Sequence, residues 1–125
     1  MGLIDSLLGN AGEKPVATIA EEFAPLLAAG ETVQRAFGLI RDLMVFTDRR
    51  LILVNKQGMT GKRVEYLSIP YRSIVMFSLE TEGHFDLEAE LKIWLSGQAS
   101  PISRTVGRGE GATDIIALLA QNAPR

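Results

Sequence analysis

The chain has 125 residues, 46% of them hydrophobic and 22% charged, a balance that fits one globular domain with a single core and argues against disorder. Thirteen basic and fifteen acidic side chains leave a net charge of −2, which is not the basic excess of a general nucleic-acid binder. There is no cysteine, no apolar run near the roughly 20 residues that span a bilayer, and no secretory signal at the N-terminus. Disulfides, thiol nucleophiles and sulfur-ligated zinc are thereby excluded, and a soluble cytoplasmic protein is expected.

Residues 2–9 read as a short helix with Leu3, Ile4, Leu7 and Leu8 on one face, and residues 10–14 as a glycine-containing break. Pro15 suits the first turn of a second helix running through Ile19, Glu21, Glu22 and Phe23, tightened at Pro25 and ended by Gly30. Residues 1–30 are therefore expected as a helical appendage on a domain spanning 31–125. From Glu31 the period changes to two. Val33, Phe37 and Leu39 alternate with Thr32, Gln34 and Gly38, as in a strand with one buried face. Arg41-Asp42 reads as a turn, residues 43–47 as an apolar strand, Asp48-Arg49 as a second turn, and Leu51 to Val54 as the next strand. Gly58 and Gly61 mark a reversal. Strands are expected at 63–69, halted by Pro70, and at 74–81, before a turn at Glu82-Gly83-His84.

The clearest alternation is Leu87, Ala89, Leu91, Ile93 and Leu95, interleaved with Glu88, Glu90, Lys92 and Trp94. Residues 101–106 supply a last strand and 107–111 a glycine-rich hinge. A helix over 112–122 follows, with Ile115, Ile116, Leu118 and Leu119 as its apolar stripe and Thr113 or Asp114 as its cap. Seven short strands joined by turns must pair antiparallel and roll up to hide their apolar face. The fold expected is mainly β (α+β): a seven-stranded antiparallel barrel or sandwich closed by the C-terminal helix, with a short N-terminal helical segment.

Several stretches carry a specific resemblance. They are Phe46-Thr47-Asp48-Arg49-Arg50-Leu51-Ile52, Gln57-Gly58-Met59-Thr60-Gly61-Lys62, Ser68-Ile69-Pro70-Tyr71, His84-Phe85-Asp86 and Glu90-Leu91-Lys92-Ile93-Trp94, with Glu22-Phe23-Ala24-Pro25-Leu26-Leu27 before them. The chain resembles the bacterial pleckstrin-homology (PH-like) family, single-domain ring-forming type, over nearly its whole length. That resemblance implies a PH-like barrel without enzymatic activity that assembles into a cyclic homo-oligomer, a pentamer being favoured, and acts in protein–protein interaction. Eukaryotic PH domains that bind inositol phosphates use a basic loop between their first two strands. Here that link shrinks to Arg41-Asp42, whose charges cancel, which argues against specific phosphoinositide binding.

No catalytic, cofactor or metal residues are assigned. His84 is the lone histidine, with Glu82 and Asp86 beside one turn, too few ligands for a metal and without a nucleophile set against it. Residues 58–62 and 107–111 lack the full phosphate-loop spacing. Residues 1–6 match the myristoylation pattern, but a plain apolar helix is the simpler reading. Arg49, Arg50, Lys56, Lys62 and Arg63 stand near turns and are candidates for a patch toward an acidic partner. Asp48 and Glu65 among them favour solvated turn charges and cross-strand pairs.

Trp94 is the residue to single out. If Leu91 and Ile93 face the core, Trp94 points outward with Glu88, Glu90 and Lys92, as an interface anchor or beneath the N-terminal helices. Interface candidates are therefore Trp94, Glu88, Glu90, Lys92, Leu3, Leu7, Arg49 and Arg50. The function expected is a non-enzymatic oligomeric interaction module with an unknown protein partner. The alternative is a peripheral membrane adaptor using Leu3, Ile4, Leu7 and Leu8 as an interfacial helix, although that helix lacks a basic polar face.

Overall fold

A computed structural model describes residues 12–39, 42–57, 63–83, 88–107 and 111–123. Five strands form one antiparallel sheet in sequence order: β1 (Gly12–Lys14), β2 (Val33–Gly38), β3 (Asp42–Thr47), β4 (Arg50–Gln57) and β5 (Arg63–Pro70). Three more form the second: β6 (Ile74–Glu80), β7 (Ala89–Leu95) and β8 (Ile102–Val106). Helix α1 (Val16–Phe23) lies between β1 and β2, and helix α2 (Ala112–Asn122) follows β8. A 3-10 turn at Tyr71–Ser73 carries the chain from the first sheet into the second.

The two-fold side-chain period of strands explains where the core divides. In β2–β4, Phe37, Met44, Phe46, Leu51 and Leu53 face the second sheet, where they meet Leu91, Ile93 and Val106 and, from α2, Ile115, Leu118 and Leu119. Their alternating neighbours Ala36, Leu43, Val45, Ile52 and Val54 face the opposite way and are covered by Ile19 and Phe23 of α1. The first sheet is thus buried on both faces, and every residue of β3 is buried. A strand sandwiched in this way reads as a continuous apolar run, which is what 43–46 is.

Two local expectations change. Residues 12–14, expected as a break, pair antiparallel with β2, making eight strands among the described residues rather than seven. A three-residue strand has too few positions to show a period. It is held instead by its partner and by a fork in which Arg35 Nε and Nη2 donate to the Glu13 carboxylate, both at 2.7 Å. Neither Thr113 nor Asp114 caps α2. Gly111 does so in the left-handed region at φ 89°, while Asp114 accepts a hydrogen bond from Arg35 at 3.1 Å. The left-handed turn and the long reach of Arg35 from another strand decide the cap, and neither is visible in local sequence.

Candidate functional site

Directly opposed residues of an antiparallel pair share a face. Phe77↔Ile93 and Leu79↔Leu91 therefore face inward with the core, and Met76↔Trp94, Ser78↔Lys92 and Glu80↔Glu90 face outward. The alternation expected for β7 holds, and Trp94 stands outward with Glu90 and Lys92. It is half-buried, beside Met76, which is 52% exposed. A register shift between Ile74 and Met76 leaves Val75 in a bulge, 63% exposed. Helix α1 packs against β2 on the other sheet, so it does not cover this tryptophan.

At the far end of β6, the exposed carboxylates Glu80, Glu82, Glu88 and Glu90 line a shallow hollow with Thr81, Ala89 and Thr105. Lys92 Nζ lies 3.9 Å from Glu90. Among the described residues no group of three or more His, Asp or Glu is gathered closely enough to hold a metal.

Arg49 and Arg50 are bound into their own chain. Arg50 donates from Nε and Nη2 to Glu31 at 2.8 and 2.9 Å, from Nη2 to the Leu26 carbonyl at 2.6 Å, and from Nη1 to Ser68 Oγ at 2.7 Å. Arg49 Nη2 donates to the Ala29 carbonyl at 3.1 Å. Glu31 also accepts from Thr47 Oγ1 at 2.6 Å and from the Ala28 N–H at 2.8 Å. These donors, led by the Arg50 guanidinium, outweigh desolvation and hold its carboxyl down at about 2. The turn after β3 thereby clasps the segment that leads from α1 into β2.

Asp42, read as half of a charge-cancelling turn, opens β3 and is buried. Its Oδ2 lies 3.2 Å from Arg104 Nε on β8, an ion pair across the two sheets in which the Nε–H is not aimed well enough for a hydrogen bond. Leu3, Leu7, Arg41 and His84 lie outside the described residues.

One feature escaped the sequence reading. A cleft of about 250 Å³ opens between β6 and α2, lined by Phe77, Ser78, Leu79, Thr113 and Ile116. Phe77, Leu79 and Ile116 pack on the core yet remain half-exposed. The one available signal was an apolar stripe on α2 that includes Ile116 and is broader than a single contact face needs.

Two sheets joined through a 3-10 turn, with a helix following the last strand, are the framework of a PH-like fold, and the chain belongs to the bacterial PH domain family, whose profile matches residues 2–123. It is similar to the uncharacterized protein YjqA of Bacillus subtilis (strain 168), at 55% identity over 121 residues, covering 96% of this chain and 97% of that one. A crystal structure of a DUF1696 family protein with a pleckstrin-homology domain from Shewanella loihica PV-4 superposes with a TM-score of 0.80 at 42% identity, covering 93% of this chain and 99% of that one. A pleckstrin homology domain from Shewanella amazonensis SB2B gives the same TM-score at 47% identity, covering 87% and 98%. No described helix is long and apolar enough to cross a membrane.

Proposed function

We propose that this bacterial PH domain is a non-enzymatic interaction module that assembles into a cyclic homo-oligomer, a pentamer being favoured, and presents the polar outer faces of neighbouring sheets to a protein partner. The observation that carries this reading is the apolar patch of Val75 and Met76 beside Trp94, on the outer face of β6 and β7. Large aliphatic side chains half or more exposed beside a lone tryptophan are the composition of an interface centre, with Lys92, Glu90 and Ser103 as its polar rim. Among the described residues the outer edges of β5 and β6 have no strand partner, which adds to it, since unpaired strand edges need covering.

Light scattering coupled to size-exclusion chromatography tests the reading. A mass near five chains at micromolar concentration is expected, and Met76→Glu should shift the population to single chains by placing an unpaired charge in the contact. A clean monomer for the unaltered chain would sink the proposal.

A further inference from the structure

Met44 and Met76 stand in opposite surroundings. Met44 is fully buried in the inner core, whereas Met76 is 52% exposed on the outer face of β6. Met1 and Met59 lie outside the described residues. The register puts Met76 directly opposite Trp94 of β7. Residues so opposed have Cβ atoms roughly 5 Å apart, which brings a thioether within reach of an indole ring. The register shift just before Met76 leaves Val75, 63% exposed, beside the same pair. A solvent-open sulfur therefore sits at the centre of the apolar patch on this sheet. Leucine there would supply the same apolar contact without the reactivity of sulfur.

We propose that Met76 is a reversible oxidation site that sets whether this face is apolar enough to associate. The reagent is a peroxide. A sulfur lone pair attacks one peroxide oxygen, and the O–O bond breaks as the S–O bond forms. The departing hydroxide takes the proton of the transferred oxygen and leaves as water. Sulfur is thereby oxidised by two electrons and the peroxide reduced by two. A dithiol-dependent methionine sulfoxide reductase returns the thioether, the oxygen leaving as water and the two thiols becoming a disulfide. The sulfoxide is a strong hydrogen-bond acceptor, and closing a contact over Val75, Met76 and Trp94 leaves it without a partner. In the assembled state the sulfur is covered, so the reagent acts on the free chain and withdraws it from assembly by mass action. The inference rests on the interaction-module reading and adds the regulation of its contact face.

The test treats the full chain with dilute hydrogen peroxide and follows it by peptide mass mapping, light scattering and Trp94 fluorescence. One oxygen atom is expected at Met76 at least about tenfold sooner than at the buried Met44. The concentration at which chains assemble should rise roughly tenfold or more, and incubation with methionine sulfoxide reductases of both stereospecificities and dithiothreitol should restore it. Met76→Leu should assemble like the unaltered chain and keep both its scattering mass and its Trp94 emission under peroxide. Met76→Gln, polar without any oxidant, should assemble as poorly as the oxidised chain while keeping its melting temperature. Oxidation of Met76 should also slow as chain concentration rises and the face becomes covered. Equal oxidation of Met44 and Met76, an unchanged mass after Met76 is oxidised, or an equal loss of mass in Met76→Leu would overturn the proposal. A single-chain mass before any peroxide is added is the failure of the assembly reading itself, and it is seen without the oxidant.

Discussion

Four donors converge on the Glu31 carboxylate: the Ala28 N–H, Thr47 Oγ1, and Nε and Nη2 of Arg50. The Glu31 side chain is 1% exposed and that of Arg50 23%, so the pair sits at the margin of the core rather than in bulk water. Glu31→Gln keeps the shape but leaves the guanidinium without its counter-charge. A loss of about 2 kcal/mol is expected by denaturant titration near neutral pH, below the full cost of breaking a deeply buried pair. Because the folded value of about 2 lies under the ordinary 4.5, this stabilisation is fully present above pH 4.5 and is lost as pH falls toward 2. The gap in melting temperature between the two proteins should therefore close over that interval, and a gap constant with pH would contradict it. Reading the sequence placed Arg50 near a turn among cross-strand pairs, but nothing in the spacing brings residue 50 to residues 26 and 31. That meeting depends on how α1 lies on the sheet.

At the scale of elements, α2 is legible and its start is not. Its apolar stripe gave its bounds, whereas its cap depends on Gly111 at φ 89°. A Cβ built on Gly111 would meet Cδ2 and Cε2 of Phe37 at 3.0 Å. Gly111→Ala is thus opposed twice, by the left-handed backbone and by a ring of the buried core that has little room to move. A loss of roughly 2 kcal/mol is expected, measured as a lowered denaturant midpoint with unchanged slope. An unchanged midpoint would mean that the ring gives way. β7 was the most legible strand, because the second sheet has one face on the core and one outward. β2 was less so, since Ala36, Phe37, Gly38 and Leu39 are all buried and the alternation read there describes only one of its two covered faces. The cleft toward α2 was not legible, because it exists only where β6 and α2 are brought side by side.

For the molecule as a whole, the inner core runs without interruption from Phe37 and Phe46 on the first sheet to Leu91 and Ile93 on the second and Ile115 on α2. The Arg104–Asp42 pair adds a polar tie between the two sheets, and the Tyr71 hydroxyl, donating to the Thr47 carbonyl at 2.6 Å, holds the connecting turn to the first sheet. Neither sheet can hide its inner face without the other, so the described domain should unfold as one cooperative unit. Trp94 is the chain's single tryptophan and sits on β7, which makes its fluorescence a reporter of the second sheet. Its transition should coincide with that of the far-UV circular dichroism in urea; two separated midpoints would show that the sheets unfold independently.

The order of strands in the two sheets is simply the order of the chain, β1 to β5 and then β6 to β8. On a ribosome each strand therefore pairs with the next strand of its sheet to emerge, and only β1 waits for its partner across an intervening helix. The outer face of the first sheet, with α1 laid on it and the Arg50 clasp closed, is covered by residues that all precede residue 71. The sheet's inner face is the exception, since it stays wet until the second sheet and α2 have been made. During synthesis, the nascent domain is most exposed to misassociation through Phe37, Met44, Phe46, Leu51 and Leu53.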